Sequence, residues 1–160
     1  MKILYICTHN RCRSILSEAI TNTKASGIIE AKSAGSQPAG EVHPLSLQYL
    51  QQRSYPVEDL QSQSWDDFED FQPHLVITVC DSAAGEACPA YFGNSIKMHW
   101  GLADPSKIEG TAEEKEAAFL HAITEIEQRV EKLKLVASAS SDKAVLNEKL
   151  KELILQAETI

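Results

Sequence analysis

The chain alternates strand-like and helix-like patterns from its first residues, and that alternation limits the available folds more than any other feature. Lys2 to Cys7 is a short apolar run rich in β-formers. Ser14 to Ala25 follows, with Ile15, Leu16, Ala19 and Ile20 on one helical face. Glu30 to Ala34 is a second strand candidate, closed by Gly35 and the turn residues Pro38 to Gly40. His43-Pro44 opens a helix that runs to about Arg53. His74 to Cys80 is the clearest strand, because Leu75-Val76-Ile77-Thr78-Val79 is nearly continuous apolar sequence, as in a strand buried on both faces. Ile96 to Trp100 is a fourth candidate. Thr111 to Leu133 is the strongest helix, with Thr111 and Glu114 in a capping-box pattern. Along it Phe119, Ile123, Ile126, Val130 and Leu133 recur at steps of four and three.

Strands separated by helices predict βαβ units and an α/β fold, a four-stranded parallel sheet flanked by helices. Val136 to Asp142 is small and polar and reads as a linker. Lys143 to Ala157, with Leu146, Leu150, Leu153 and Ile154, reads as an extra C-terminal amphipathic helix packed on the domain or on a neighbouring subunit. The expected division is therefore a domain over residues 1–135, then a linker and helix over 136–160.

At 160 residues the chain is long enough to bury one core, and 43% apolar with 24% charged residues is ordinary for a soluble globular protein. No run of eighteen apolar residues is present, and the start lacks the basic and apolar regions of a signal peptide. A cytoplasmic protein with no membrane partner is expected. A net charge of -8 argues against nucleic acid as a partner, whereas a small oxyanion answers to local field rather than net charge. Four cysteines in such a chain read as buried thiols, metal ligands or redox groups rather than structural disulfides.

Between the first strand and the first helix lies Cys7-Thr8-His9-Asn10-Arg11-Cys12-Arg13-Ser14. Ligands of open α/β sheets bind at such a strand-to-helix loop. The helix end supplies unpaired N–H groups and a positive dipole, and a loop of this length can fold its amides around a tetrahedral oxyanion. Arg13 adds a planar fork for two oxygens, and Arg11 adds positive charge at the rim. The same field favours a thiolate at Cys7, and a hydroxyl at Ser14 can donate to its sulfur. Zinc is a poorer occupant for Cys7, His9 and Cys12, because no close cysteine pair completes a site and two arginines would repel a cation.

The loop resembles the Cys-x-x-Asn-x-Cys-Arg-Ser loop of low-molecular-weight tyrosine phosphatases and their arsenate reductase relatives. Ser33-Ala34-Gly35 resembles the segment after the family's second strand. Val76 to Asp81 and Trp100-Gly101-Leu102-Ala103-Asp104-Pro105 resemble the redox-cysteine strand and the Asp-Pro loop of the reductases. The similarity covers about residues 1–135. It implies that Cys7 is the nucleophile, that Thr8 to Ser14 bind the oxyanion and that Asp104 is the general acid. His9 stands where many family loops carry glycine, a residue freer in backbone angle. Some relatives hold potassium beneath the loop. Asn10, Glu18 and Ser33 match three of those side chains, while the acidic residue expected near Gln63-Ser64 is absent. No metal and no cofactor are expected.

Loop and acid serve phosphatase and reductase alike, and Cys80 and Cys88 separate the two. Reducing As(V) to As(III) takes two electrons, which thiols supply as a disulfide forms. The resemblance thus implies an arsenate reductase for arsenic detoxification. Its Cys80/Cys88 relay would be reduced by thioredoxin, or by glutaredoxin with glutathione. A low-molecular-weight protein tyrosine phosphatase is the alternative, and a non-catalytic oxyanion or metalloid sensor is a third reading. Ser106 and Lys107 follow Asp104-Pro105 where the phosphatases carry tyrosines. His43, His74, His99 and His121 read as packing or solvated histidines. Residues 81–88 are expected to be compact when reduced and looped out when Cys80 and Cys88 are joined, since a helix would hold their Cα atoms roughly 12 Å apart and a disulfide tolerates about 7 Å.

Overall fold

The computed structural model describes residues 1–79, 93, 95–139 and 142–158. Among them four strands form one parallel sheet in the order β2–β1–β3–β4: β1 is Lys2–Ile6, β2 Glu30–Ala34, β3 Leu75–Thr78 and β4 Ile96–His99. Every residue from Ile3 to Ile6 and from Leu75 to Ile77 is fully buried, so the continuous apolar runs are explained by helices on both faces. The chain leaves β1 on one side to make β2, then returns to the other side for β3. The loop after β1 therefore sits where the strand order reverses.

Helix α1 (Arg13–Lys24) buries Ile15, Leu16, Ala19 and Ile20, the apolar face legible in the sequence. Helix α2 (Pro44–Gln52) starts at an N-cap His43 whose Nδ1 accepts from the Leu45 N–H, with Pro44 in the first turn, where its missing N–H costs nothing. Helix α3 (Ala112–Ala139) starts at Thr111, whose Oγ1 accepts from the Glu114 N–H at 3.2 Å. It buries Phe119, Ile123, Ile126, Val130 and Leu133, each worth about 1.5–3 kcal/mol of transfer free energy. Glu127 on α3 accepts from Arg53 and Tyr55 and lies 3.9 Å from Lys24, which joins α3 to α1 and to the end of α2.

The linker expected from Val136 needs correction. Helix α3 continues to Ala139, because Ala-Ser-Ala contains no helix breaker and Val136 and Ala137 pack against the core. Asp142 then accepts from the Ala144 N–H and opens helix α4 (Lys143–Glu158), which buries Leu146 and Leu150 on the rest of the domain. Among the described residues no helix is long and apolar enough to cross a membrane.

Candidate active site

Cys7 follows β1 directly and is 7% exposed. The loop after it is held from behind by the segment between β2 and α2. The carbonyls of Thr8, His9 and Arg11 accept from the N–H groups of Gln37, Ala39 and His43, at 2.9, 3.0 and 3.0 Å. A trans peptide sets its N–H opposite its C=O, so the amides of His9, Asn10 and Cys12 face away from those donors. Among the described residues none accepts a hydrogen bond from the N–H groups of His9 through Arg13. Helix α1 has no side-chain cap and no acidic residue in its first turn, so its positive end is uncompensated.

Gly35 shows how tightly the backing fits. A Cβ there would lie 2.6 Å from the Thr8 carbonyl oxygen and 2.9 Å from that of Cys7, so this position excludes any side chain. Beneath the loop Asn10 is fully buried with φ of 48°, a left-handed angle that asparagine tolerates. Its Nδ2 donates to Ser14 Oγ at 2.8 Å and its Oδ1 accepts from the Gln63 N–H at 2.9 Å. The left-handed turn thus falls on Asn10 and not on His9, which removes the backbone objection to histidine at position 9.

A cleft of about 230 Å³ opens over the loop. Cys7, Thr8, His9, Arg11, Cys12 and Arg13 line one side, and His43, Asp104, Ser106 and Lys107 complete it. Of the expected oxyanion binders, Asn10 and Ser14 lie under the loop and do not line the cleft. Arg13 Nη1 donates to the Leu102 carbonyl at 2.9 Å and Nη2 lies 3.5 Å from Asp104 Oδ2. Among the described residues its buried Nε has no hydrogen-bond partner. Asp104 caps the short 3-10 turn Pro105–Lys107, with Oδ1 accepting from the Ser106 N–H and hydroxyl at 2.9 and 2.6 Å.

Cys12 differs from Cys7. Burial pushes its thiol up to about 12, a change that a hydrogen bond with Ser46 only partly offsets. Glu18 is buried beside the loop, with its carboxyl raised by burial, and it accepts from Ser33 Oγ at 2.7 Å. Glu18, Ser33 and Asn10 each meet a protein partner, and Gln63 points its amide at the Ser33 carbonyl. These contacts form a loop-anchoring network beneath Cys7.

By sequence His43 reads as a packing or solvated histidine; its ring lies 6.1 Å from that of Phe119, and the residue also forms part of the cleft wall. Its position just before Pro44, at the start of a helix facing the loop, was the available signal. Cys80 and Cys88, and the switch expected over residues 81–88, lie outside the described residues.

A family model for low molecular weight phosphotyrosine protein phosphatases matches residues 2–151. An arsenate reductase of Halalkalibacterium halodurans is 34% identical over 128 residues, 80% of this chain and 91% of the relative. An arsenate reductase of Bacillus subtilis is 31% identical over 130 residues, 81% and 92% of the two chains. Among solved structures, a thioredoxin-dependent arsenate reductase of Corynebacterium glutamicum aligns with a TM-score of 0.66 at 29% identity, over 86% of this chain and 61% of that one. A low molecular weight protein tyrosine phosphatase of T. tengcongensis, 20% identical over 86% of this chain and 99% of its own, shares the fold with a TM-score of 0.66. A match of this length, on this sheet and this loop, means that the chain belongs to the low molecular weight phosphotyrosine protein phosphatase family.

Proposed function

We propose that this protein reduces arsenate to arsenite in the cleft over the Cys7 loop. The observation that carries this reading is the convergence of Cys7, Arg13 and Asp104 on one small polar cleft. The curated relatives cited above, all arsenate reductases, choose the reaction. Among its described lining residues the cleft has no tyrosine, tryptophan or phenylalanine, and its lining is chiefly polar and cationic, which suits a small oxyanion.

In this reading the loop amides and Arg13 hold three oxygens of arsenate, in the manner of a preorganised oxyanion site. The Cys7 thiolate attacks arsenic and forms an S–As bond. The As–O bond opposite breaks, and Asp104 gives its proton to the departing oxygen, which leaves as water. Oδ1 of Asp104 accepts twice from Ser106, whereas Oδ2 has one longer contact, 3.5 Å from Arg13 Nη2, and is the oxygen to carry that proton. A Cys80 thiolate then attacks the Cys7 sulfur. The S–As electron pair passes to arsenic, arsenite leaves, and a Cys7–Cys80 disulfide remains. Cys88 attacks Cys80, releases Cys7 as thiolate and leaves a Cys80–Cys88 disulfide for a dithiol donor. The donor is a thioredoxin, with glutaredoxin and glutathione as the alternative. The work is done in the cytoplasm by a domain that includes the whole of α3, without a cofactor.

Phosphatase chemistry is the second reading, since the family description names it and it needs only the loop and Asp104. Arsenate-dependent NADPH oxidation with thioredoxin and, separately, glutaredoxin systems tests both. Wild type should turn over, Cys80→Ser should release no arsenite, Cys88→Ser should stop after one turnover, and both variants should keep slow hydrolysis of p-nitrophenyl phosphate. No arsenate turnover with either donor, beside efficient aryl phosphate hydrolysis untouched by those substitutions, would establish the phosphatase instead.

A further inference from the structure

We propose that His43 is a substrate-contacting residue, presenting a neutral Nε2–H donor to an oxygen of the oxyanion bound over Cys7. The proposal rests on the reading of the cleft as an oxyanion site and adds a donor from outside the loop.

Three contacts fix the residue. Its backbone N–H donates to the Arg11 carbonyl at 3.0 Å, so it moves with the nucleophile loop. Its ring lies 6.1 Å from that of Phe119, centroid to centroid, and Phe119 is fully buried on α3. Its Nδ1 accepts from the Leu45 N–H at 3.2 Å as the N-cap of α2. The last contact sets the tautomer. A ring nitrogen that accepts has no proton, so in the neutral imidazole the hydrogen sits on Nε2.

Protonation would place a second hydrogen on Nδ1, against the Leu45 N–H, and break the cap. Burial and the Arg11 guanidinium lower the pKa of the imidazole, against a smaller opposing pull from Asp104. Among the described residues no hydrogen bond engages Nε2, on a residue that lines the cleft together with Asp104 and Lys107. An N–H donor there adds a hydrogen bond without adding charge to a cleft that already holds Arg11, Arg13 and Lys107.

The two jobs of His43 can be separated. Asparagine is among the best N-caps, so His43→Asn keeps an acceptor for Leu45 while its short amide stops well before the far edge of an imidazole. His43→Ala removes both cap and donor. Titration calorimetry of the full chain with inorganic phosphate, a non-reducible stand-in for arsenate, reads the contact directly, and thermal melts read the cap. The expected result for His43→Asn is phosphate binding about tenfold weaker at an unchanged Tm. His43→Ala should lose affinity equally and melt lower. Wild-type affinity in His43→Asn, with a lower Tm confined to His43→Ala, would make the residue a helix cap alone and overturn the proposal. A wild-type protein that binds neither phosphate nor arsenate would overturn the oxyanion reading itself, which is a different result from wild-type binding untouched by the substitution.

Discussion

Arg13 Nη2 lies 3.5 Å from Asp104 Oδ2, while Nη1 of the same guanidinium donates to the Leu102 carbonyl two residues earlier. One side chain at the start of α1 therefore holds the loop after β4 in place beside Cys7. Lysine would keep the charge and lose the fork, and with it both the oxyanion clamp and the tether. Arg13→Lys should lower arsenate turnover by about a hundredfold or more and weaken phosphate binding. Near-normal turnover in steady-state assays would show that Arg13 is not the clamp.

Asp104→Asn separates shape from proton supply. The amide oxygen can still accept from the Ser106 N–H and hydroxyl, so the turn at Pro105–Lys107 should survive. Asparagine has no proton to give a leaving oxygen. Turnover should fall by about 10²–10⁴, while calorimetry shows phosphate affinity retained. If turnover stays within a few fold of wild type, another group supplies the proton.

Cys7 and Cys12 share a loop and should differ in reactivity. Burial holds the Cys12 thiol near 12, so almost none of it is thiolate at neutral pH. Cys7 lines the same cleft at the uncompensated end of α1, where a thiol ionises readily. Brief treatment with iodoacetamide at pH 7, followed by peptide mass spectrometry, should find Cys7 alkylated and Cys12 intact. Equal labelling of the two would contradict the difference in environment.

Glu18 makes stability depend on pH. Burial raises its carboxyl above its unfolded value, so between the two values the native state binds a proton that the unfolded state has released. Its contribution is fully present below the unfolded value and is lost as pH rises through the folded one. Glu18→Gln removes this dependence and keeps an acceptor for Ser33. In melts from pH 4.5 to 7.5, the Tm of the variant should gain on that of wild type as pH rises. A constant difference across the range would mean that Glu18 does not titrate there.

The elements themselves were legible at Leu75 to Thr78, where an unbroken apolar run means burial on both faces, and at Phe119 to Leu133, where the spacing traces one side of a helix. The end of α3 is not legible, because small polar residues look like a linker in sequence, and Val136 and Ala137 show their core contacts only in three dimensions. Cys7 and Arg13 were legible because loop and helix lie next to each other in the chain. Asp104 came from likeness alone, since no local pattern links it to a residue ninety-one positions earlier.

By itself the sequence determined the sheet, its helices and the chemistry-bearing loop, because periodicity, caps and adjacent residues act over a few positions. Tertiary structure decided what that loop faces. It placed the left-handed angle on Asn10, turned the carbonyls of Thr8, His9 and Arg11 onto the segment before α2, and set His43 and Asp104 around Cys7. Each of these depends on contacts between residues far apart in the chain. Such contacts follow from how strands pair and helices cover them, and no local spacing records the result.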